Sequence, residues 1–362
     1  CYIGKIARSS PNVINSEEIE EIIAYDVEKF SIRYSDCKAI VKIYKLYLVA
    51  KIQLIASVLP DLIKQKEINL CIVWNGADYR AAAVAKIAEK MDKKIIYIET
   101  GQFPNTLELD KEGVNAASSL SRKDKSFFSK IKIDKKKIKK LHNVKVETRD
   151  LRKDRVTNYI RTQNINKPEA IDLPKRYFFV PFQVHTDSQF IVNSVYVKNM
   201  YQFVDCCYEA LVNFNQENNE DYWLVIKEHP SDFGRINYSD LKEKYRDEKV
   251  LFLTDYEIDK LIAGSELVIT LNSSVGIESL LQYKPVITLG KANYNIKGVV
   301  YHVSSGDSLS QALERAISRG VNKDLIDKFL QYFRYDYLVE GNKNNPAVSN
   351  NIKVIKEIEE HL

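Results

Sequence analysis

Residues 267–290 read LVITLNSSVGIESLLQYKPVITLG, and this stretch decides the fold. An apolar run ends at Leu271, a short polar turn and a helical pattern follow, and a second apolar run begins at Pro285. Two neighbouring strands joined by a helix run parallel, because the helix carries the chain back to the end of the sheet where the first strand began. The stretch therefore predicts a β-α-β unit of an α/β protein.

The same alternation of strand and helix patterns extends along most of the chain. Strand-sized apolar runs occur at residues 70–74, 94–98, 177–180, 222–226 and 250–253. Helical patterns lie between them, and such alternation is typical of parallel sheets covered on both faces. Since 362 residues exceed the usual size of a single core, we predict two lobes, residues 1–165 and 170–325. The C-terminal segment at about 330–362 is expected to pack back on the first lobe.

Apolar periodicity also predicts a helix at 38–59, which we expect to end at Pro60 because proline disrupts a helix interior. The longest uninterrupted apolar runs are strand-sized, so we expect no membrane-spanning helix. The five cysteines show no C-x-x-C spacing, which disfavours structural zinc and a disulfide scaffold. This cysteine usage is typical of a reducing compartment, and we therefore predict a cytoplasmic protein.

The formal charge of +5 conceals a concentration of positive charge in one segment. Residues 122–140 contain ten Lys or Arg and two Asp, so the rest of the chain is net acidic. Phe128, Ile131, Ile138 and Leu141 lie among the lysines at near-helical spacing, which is compatible with a helix on an anionic membrane surface. A solvated lysine face is the alternative. Nucleic acid is disfavoured as a partner, because no recognition module accompanies the lysines.

Several common chemistries lack their motifs. The sequence contains no G-x-G-x-x-G, no G-x-x-x-x-G-K-[ST] and no G-x-S-x-G, which disfavours dinucleotide redox, P-loop hydrolysis and esterase chemistry. It also contains no D-x-D pair and no two histidines at i, i+4. We therefore predict an enzyme without a catalytic metal and without a resident cofactor.

Polar residues follow the first strand of the 267–290 unit and form a candidate anion site. Asn272, Ser273, Ser274 and Gly276 lead into the helix that carries Glu278. Backbone N–H groups, hydroxyls and the positive end of the helix dipole favour a phosphate at such a turn. The alternative is that one of these side chains only caps the helix.

Three further strand ends carry candidate catalytic groups. Lys227 and His229 follow the strand at 222–226, where a cation and an imidazole suit a leaving phosphate, although His229 could equally be an ordinary loop histidine. Asp187 lies in the loop after the strand at 177–180, where it could attack a substrate carbon or cap the next helix. Glu99 directly follows the strand at 94–98, where partial desolvation suits a general acid or base, or where it could bond nearby backbone N–H groups.

With these residues in place, the sequence resembles the capsule polysaccharide biosynthesis family of KpsC and KpsS type, and the related retaining β-Kdo transferase domain of WbbB. The matching pieces, in order, are WNGADYRAAAVAKIAEK, IYIETGQFPNTLELDKEGVNAASSL, VPFQVHTDSQ, IKEHP and LNSSVGIESLLQYKPVITLGKANYNIKG. They extend from about Trp74 to Gly298. The resemblance implies a GT-B-like enzyme, with two Rossmann-type lobes whose parallel sheets face each other across a cleft.

The resemblance also implies an activity and a mechanism. Such an enzyme is a glycosyltransferase that moves Kdo from CMP-Kdo to a glycan or glycolipid acceptor in capsule or lipopolysaccharide synthesis, without a metal and with retention. By position, Asp187 corresponds to the nucleophile of a double displacement, Glu99 to the carboxylate of the first lobe, and His229 to the histidine of the His-Pro motif.

The remaining site residues come from the same matched segments. The resemblance implies a donor site formed by Gln183, Lys227, Asn272, Ser273, Ser274, Gly276 and Glu278. It implies an acceptor side that includes Gly101, Asp110 and Asn115. Two alternatives stay open at this point: another transferase of the same fold, such as a CDP-glycerol phosphotransferase, and a non-catalytic glycan-binding component of capsule assembly.

Overall fold

The structure, a computed structural model, describes residues 13–144, 172–194, 196–304 and 306–342, together with residues 354, 356, 358 and 359. The chain divides into two compact units. Unit 1 comprises Cys1–Gly101, Asn105–Ser119 and Leu338–Leu362, and unit 2 comprises Gln102–Pro104 and Leu120–Tyr337. Both units combine helices with a β-sheet that contains parallel strands, so the predicted α/β class is confirmed.

The helices and strands of the described ranges follow the chain in this order. The α-helices are α1 (Ser16–Arg33), α2 (Lys38–Gln65), α3 (Tyr79–Lys90), α4 (Lys125–Ser129), α5 (Lys135–His142), α6 (Ser188–Asn193), α7 (Met200–Asn218), α8 (Ser239–Lys244), α9 (Ile258–Gly264), α10 (Val275–Leu281), α11 (Leu309–Arg319) and α12 (Lys323–Tyr332). The strands are β1 (Leu70–Trp74), β2 (Lys94–Thr100), β3 (Thr106–Asp110), β4 (Tyr177–Pro181), β5 (Trp223–Lys227), β6 (Val250–Leu253), β7 (Leu267–Thr270), β8 (Val286–Thr288), β9 (Tyr301–His302) and β10 (Val339–Glu340).

The sheet of unit 1 has the order β1-β2-β3-β10. β1 and β2 are parallel and joined by α3, as the sequence predicts for this β-α-β unit. β3 runs antiparallel to β2, because the few residues between them are too short for a helical crossover. β10 pairs antiparallel with β3 and so attaches the segment after residue 337 to unit 1. The sheet is therefore mixed rather than wholly parallel.

The helical layer of unit 1 is α1, α2 and α3. Ile23, Leu48, Ile52, Ala83 and Ile87 form its buried centre. The expectation that the second helix ends at Pro60 is wrong, because α2 continues through this proline to Gln65. A proline removes one helix hydrogen bond, and burial of Pro60 against the core offsets this local loss.

The sheet of unit 2 has the order β6-β5-β4-β7-β8-β9, and every neighbouring pair is parallel. The chain enters at the central strand β4, moves outward through β5 to β6, and then crosses to β7 on the other side of β4. This is a doubly wound sheet, in which the direction of winding reverses between β4 and β7. Both strands are buried along their whole length, since helices cover both faces.

The division into units differs from the predicted boundary near residue 165. Residues 120–144 belong to unit 2, because α4 and α5 pack against α12. The rings of Phe128 and Phe329 meet edge to face with centroids 5.4 Å apart. The Gln331 side chain donates to the carbonyl of Lys132 at 3.0 Å and accepts from the N–H of Asp134 at 2.7 Å. Residues 145–171, which contain the predicted boundary, lie outside the described residues.

These contacts also bear on the lysine-rich segment. Of the four side chains on which the membrane alternative rests, Phe128 and Leu141 are fully buried within unit 2, and Ile131 and Ile138 are partly buried. Most of the lysines between them remain exposed. The solvated lysine face is therefore the interpretation that fits this segment.

Candidate functional site

The carboxyl ends of β4 and β7 are joined by two amide side chains. Gln183 Nε2 donates to Asn272 Oδ1 at 2.8 Å, and the Asn272 backbone N–H donates to Gln183 Oε1 at 3.0 Å. Asn272 Nδ2 also donates to the carbonyl of Gln189 at 2.8 Å. Both side chains are buried. The sequence predicted these two residues in the donor site, and the structure brings them together at the reversal point, where they hold the two loops in place.

The turn from β7 into α10 contains the predicted serines and glycine. Ser273 Oγ accepts from the N–H of Val275 at 3.2 Å, whereas Ser274 occupies the N-cap position without a capping hydrogen bond. Tyr294 is fully buried and donates its hydroxyl to the Ser273 carbonyl at 2.6 Å. A Cβ on Gly276 would lie 2.5 Å from this hydroxyl. Gly276 is therefore required by packing, and the Tyr294 contact holds the turn.

Asp187 caps the short helix that follows β4. Its Oδ1 accepts from the N–H of Gln189 at 2.7 Å. The capping role that the sequence left open is thus present, and it orients the carboxylate at the carboxyl end of the sheet. Attack on a substrate carbon by Asp187 stays a prediction.

A histidine and an aspartate that the sequence analysis did not pair connect the loop that carries Asp187 to the loop that carries His229. His185 Nδ1 is 2.8 Å from Asp232 Oδ1, and the His185 backbone N–H donates to Asp232 Oδ2 at 3.2 Å. The Asp232 side chain is 2% exposed and the His185 side chain 18%. An aspartate that accepts from Nδ1–H leaves Nε2 of a neutral imidazole as the acceptor. The pair therefore fixes the tautomer of His185 and ties the loop after β4 to the loop after β5.

The only sign of this pair in the sequence is proximity to two motifs. His185 lies two residues before Asp187, and Asp232 lies three residues after His229. The two partners are 47 positions apart, so their contact depends on the adjacency of β4 and β5.

The His-Pro segment carries an imidazole and an ammonium group that are each held by hydrogen bonds. His229 Nδ1 accepts from the N–H of Ser231 at 3.1 Å, so a neutral ring carries its proton on Nε2. Lys227 is buried, and its Nζ donates to the carbonyls of Glu228 at 3.2 Å and Thr254 at 3.4 Å. These contacts place the ammonium group on the β6 side of β5, whereas the reversal point lies on its β4 side. Donor binding by Lys227 stays a prediction.

Glu278 lies on the wall of a surface groove of about 520 Å³ within unit 2. The other polar groups of this wall are His142, Asn143, Asp259, Lys260 and Gln282. His142 is held there by Leu281, whose carbonyl is 2.6 Å from Nδ1, and by Asp327, whose Oδ1 is 3.1 Å from Nε2. Glu278 therefore lines this groove, and donor binding by Glu278 stays a prediction.

In unit 1, the predicted carboxylate Glu99 lies at the carboxyl end of β2. It accepts hydrogen bonds from the side chain of Asn75 and, at 2.7 Å, from the N–H of Thr100. Asn75 follows β1 with a positive φ of 59°, and its N–H donates to the Ile98 carbonyl at 2.8 Å. The sequence analysis did not single out Asn75. It meets Glu99 because parallel neighbouring strands end at the same edge of the sheet.

The three residues predicted on the acceptor side have structural roles in unit 1. Gly101 has no room for a side chain, since a Cβ would lie 2.2 Å from Thr106 Oγ1. The buried Asp110 accepts from the N–H and the hydroxyl of Ser119 at 2.8 and 2.6 Å. The N–H of Asn115 donates to the carboxylate of Glu108 at 3.1 Å. These contacts shape the loop after β3, and acceptor binding by these residues stays a prediction.

Comparison with known proteins places these features in a family. The sequence model described as "Capsule polysaccharide biosynthesis protein" matches residues 135–342. Protein FixF of Sinorhizobium fredii is 31% identical over 283 residues, which are 77% of this chain and 62% of FixF. The capsule polysaccharide export protein KpsS of Escherichia coli is 33% identical over 135 residues, which are 36% of this chain and 34% of KpsS. The chain therefore matches less than two thirds of the length of either relative.

Among solved structures, the chain is similar to KpsC of Thermosulfurimonas dismutans, described as a β-Kdo 2,7 transferase. The superposition has a TM-score of 0.46 and a sequence identity of 18%, and it covers 83% of this chain and 89% of the KpsC chain.

Proposed function

Since the chain belongs to the capsule polysaccharide biosynthesis protein family, we propose that it is a glycosyltransferase that acts in capsule or lipopolysaccharide synthesis. We propose CMP-Kdo as the donor, a glycan or glycolipid as the acceptor, and retention of configuration. The family match supports the first statement, and the motif resemblance supports the donor and the stereochemistry. Metal independence and a cytoplasmic location are part of the same proposal.

One structural observation carries this proposal. The loops after β4, β5 and β7 bring Asp187, His185, His229 and the Ser273–Ser274 turn to the carboxyl edge of one doubly wound sheet. Sheets of this type bind ligands outside the carboxyl ends of their strands, at the point where the winding reverses. A carboxylate, two imidazoles and a hydroxyl-rich turn at that point suit a sugar with a phosphate leaving group.

In the proposed first step, a carboxylate oxygen of Asp187 attacks the anomeric carbon of Kdo. The bond from that carbon to the phosphate oxygen breaks, and CMP leaves with the electron pair. The hydrogen bond from Gln189 holds the Asp187 carboxylate in its orientation. The product is a glycosyl ester on Asp187 with inverted configuration.

In the second step, the acceptor hydroxyl attacks the same carbon and the ester bond breaks, which regenerates the Asp187 carboxylate. We assign proton removal from the hydroxyl to Glu99, whose carboxylate is oriented by Asn75. Two inversions produce net retention, the logic that retaining glycosidases use.

The leaving phosphate needs hydrogen-bond donors as its charge develops. We assign this role to His229 Nε2–H, because its Nδ1 is occupied by Ser231, and to the Ser274 hydroxyl, which makes no capping bond. His185 and Asp232 act as positioning residues, since their contact holds the Asp187 loop against the His229 loop.

The test is a nucleotide panel followed by mass spectrometry. A ligand that binds only the folded state raises the free energy of unfolding by about 2.7 kcal/mol at a ligand concentration of 100 Kd. Thermal unfolding with CMP, CDP, UDP or GDP therefore compares the four nucleotides without an acceptor. We expect selective stabilisation by CMP and a Kdo adduct on wild-type enzyme incubated with CMP-Kdo. A preference for CDP or UDP would exclude the Kdo assignment. No response to any nucleotide would favour a non-catalytic component.

A further inference from the structure

Helix α2 has apolar side chains on two opposite faces. Its inner face packs into unit 1, where Leu48 and Ile52 are completely buried and Ile63 is nearly so. Its outer face exposes a second set of large apolar side chains, Ile40, Ile43, Leu46, Tyr47, Leu54, Val58 and Leu62. Ile43 is 67% exposed and Leu54 is 55% exposed. An outer face of this composition on a soluble helix marks an interaction surface.

The exposed side chains form one continuous stripe. Ile43, Tyr47, Leu54 and Val58 are separated by four, seven and four positions, which places them in a row along the helix. A helix that is apolar on its inner and outer faces needs a partner on both sides, and the described residues of unit 1 cover only the inner one. We call the seven outer residues the α2 stripe.

The expectation of no membrane-spanning helix needs a correction here. Within the described residues, α2 is long and apolar enough to cross a bilayer, with a mean hydropathy of 1.7 over 18 residues. The length of uninterrupted apolar runs did not reveal α2, because lysines divide its apolar residues into short runs. The packed inner face nevertheless keeps α2 on the surface of folded unit 1, so contact with lipid would be along one face.

The charge of α2 distinguishes between two possible partners, an anionic bilayer and a second copy of the chain. The helix contains five lysines and one aspartate. Lys45 is paired with Glu20 at 2.6 Å, and Lys51 lies over the Tyr47 ring with its Nζ 5.3 Å from the centroid. Lys38 and Lys42 are exposed beside the stripe. Lysines beside an apolar stripe, with tyrosine among its residues, are typical of helices that lie in the headgroup region of anionic bilayers.

A second copy of the chain fits this surface less well. Stripe-to-stripe packing of two copies would bring two sets of lysines together, and like charges across an interface are unfavourable. We propose that α2 docks unit 1 on an anionic bilayer, with the stripe facing the acyl boundary and the lysines facing the headgroups. This proposal is independent of the reaction proposed above.

The test is flotation of the chain with vesicles of phosphatidylglycerol and phosphatidylethanolamine, compared with phosphatidylcholine vesicles. We expect binding to the anionic vesicles, reduced by high salt because headgroup attraction is screened. Ile43→Glu and Leu54→Glu should each weaken binding by about tenfold or more, since each puts a charge into the apolar contact. Val192→Glu, at a side chain of unit 2 that is 55% exposed, is the matched control and should bind like wild type.

The substituted positions are exposed, so far-UV circular dichroism and the melting temperature should stay close to wild type. Ile43→Gln and Leu54→Gln are the milder pair if a glutamate variant does not fold. Failure of wild type to bind anionic vesicles, or wild-type binding by the α2 variants, would overturn the proposal. A dimer in light scattering that Ile43→Glu converts to a monomer, without vesicle binding, would assign the stripe to a second copy.

Discussion

His185 Nδ1 lies 2.8 Å from Asp232 Oδ1, and this contact connects the loops that follow two neighbouring strands of the unit 2 sheet. Asp232 is almost completely buried, so it needs the two donors that His185 supplies from its ring and its backbone. The loop that His185 holds also carries Asp187, and the loop that Asp232 holds also carries His229. The pair thus connects the loop of the proposed nucleophile, Asp187, to the loop of His229, the proposed hydrogen-bond donor to the leaving phosphate.

The first prediction concerns this pair. His185→Ala and Asp232→Asn should each lower kcat by about ten- to a hundredfold, as loss of a residue that orients a catalytic group does, and should change the Kd for CMP much less. The double variant should lose no more than the worse single variant, because the two residues act as one unit. Kinetics with CMP-Kdo and calorimetry with CMP measure the two quantities. Additive losses would indicate separate roles.

Asp187 allows its two roles to be separated. Asn is as good an N-cap as Asp but is a poor nucleophile, so Asp187→Asn should keep the free energy of unfolding while losing nearly all turnover and the adduct. Asp187→Ala should lose turnover and also about 1 kcal/mol of stability. Asp78→Asn, at the N-cap of α3, is the control and should keep full activity. An active Asp187→Asn enzyme would remove Asp187 from the mechanism.

Glu99 should act only in the second step. Glu99→Gln and Asn75→Ala should slow transfer to the acceptor, by about a hundredfold or more for Glu99→Gln, because a general base is lost or misoriented. Adduct formation and CMP release should continue in both variants. Intact-protein mass spectrometry detects the adduct, and product analysis detects transfer. A CDP-glycerol phosphotransferase would tolerate Glu99→Gln.

The β7–α10 turn should be sensitive to volume. Gly276→Ala places a methyl group 2.5 Å from Tyr294 Oη and should cost about 1–3 kcal/mol of unfolding free energy. Tyr294→Phe removes the hydrogen bond to the Ser273 carbonyl and should cost about 1 kcal/mol. The double variant should be somewhat less destabilised than the sum, since the nearest clashing atom is gone, while Cζ and Cε2 of the ring still lie 2.7 and 2.8 Å from the added methyl group. Urea titration of all three variants checks this coupling.

His302 should make stability depend on pH. Burial lowers the pKa of its imidazole, and this effect outweighs the opposing effect of the Thr288 carbonyl, which lies 3.2 Å from Nδ1. The unfolded state therefore binds a proton at a higher pH than the folded state does. The stabilising contribution is complete above the unfolded-state pKa of about 6.5 and is lost as the pH falls through the lower folded-state pKa. Urea titrations at several pH values should show a smaller loss for His302→Gln than for wild type.

Patterns of a few residues were enough to predict the elements that carry the site. The apolar runs at 70–74 and 267–271 correspond to β1 and β7, and the polar residues after each strand lie at carboxyl edges. The start of α7 at Met200 depends on Asn199, which caps it, and on α6, which occupies the segment before it. A helix cap depends on nearby residues, but here two caps, Asp187 of α6 and Asn199 of α7, lie close together in the sequence.

The sequence by itself determined β1, β2 and β4 to β8, most helices, the strand-end positions of Asp187, His229 and Glu99, and the family. These features depend on residues that are close together in the sequence. The tertiary structure alone decided which side chains meet: Glu99 with Asn75 across 24 positions, His185 with Asp232 across 47, and Gln183 with Asn272 across 89. It also assigned residues 120–144 to unit 2 and left the α2 stripe exposed. Such contacts follow from strand order and helix packing, which arise from burial summed over a whole unit.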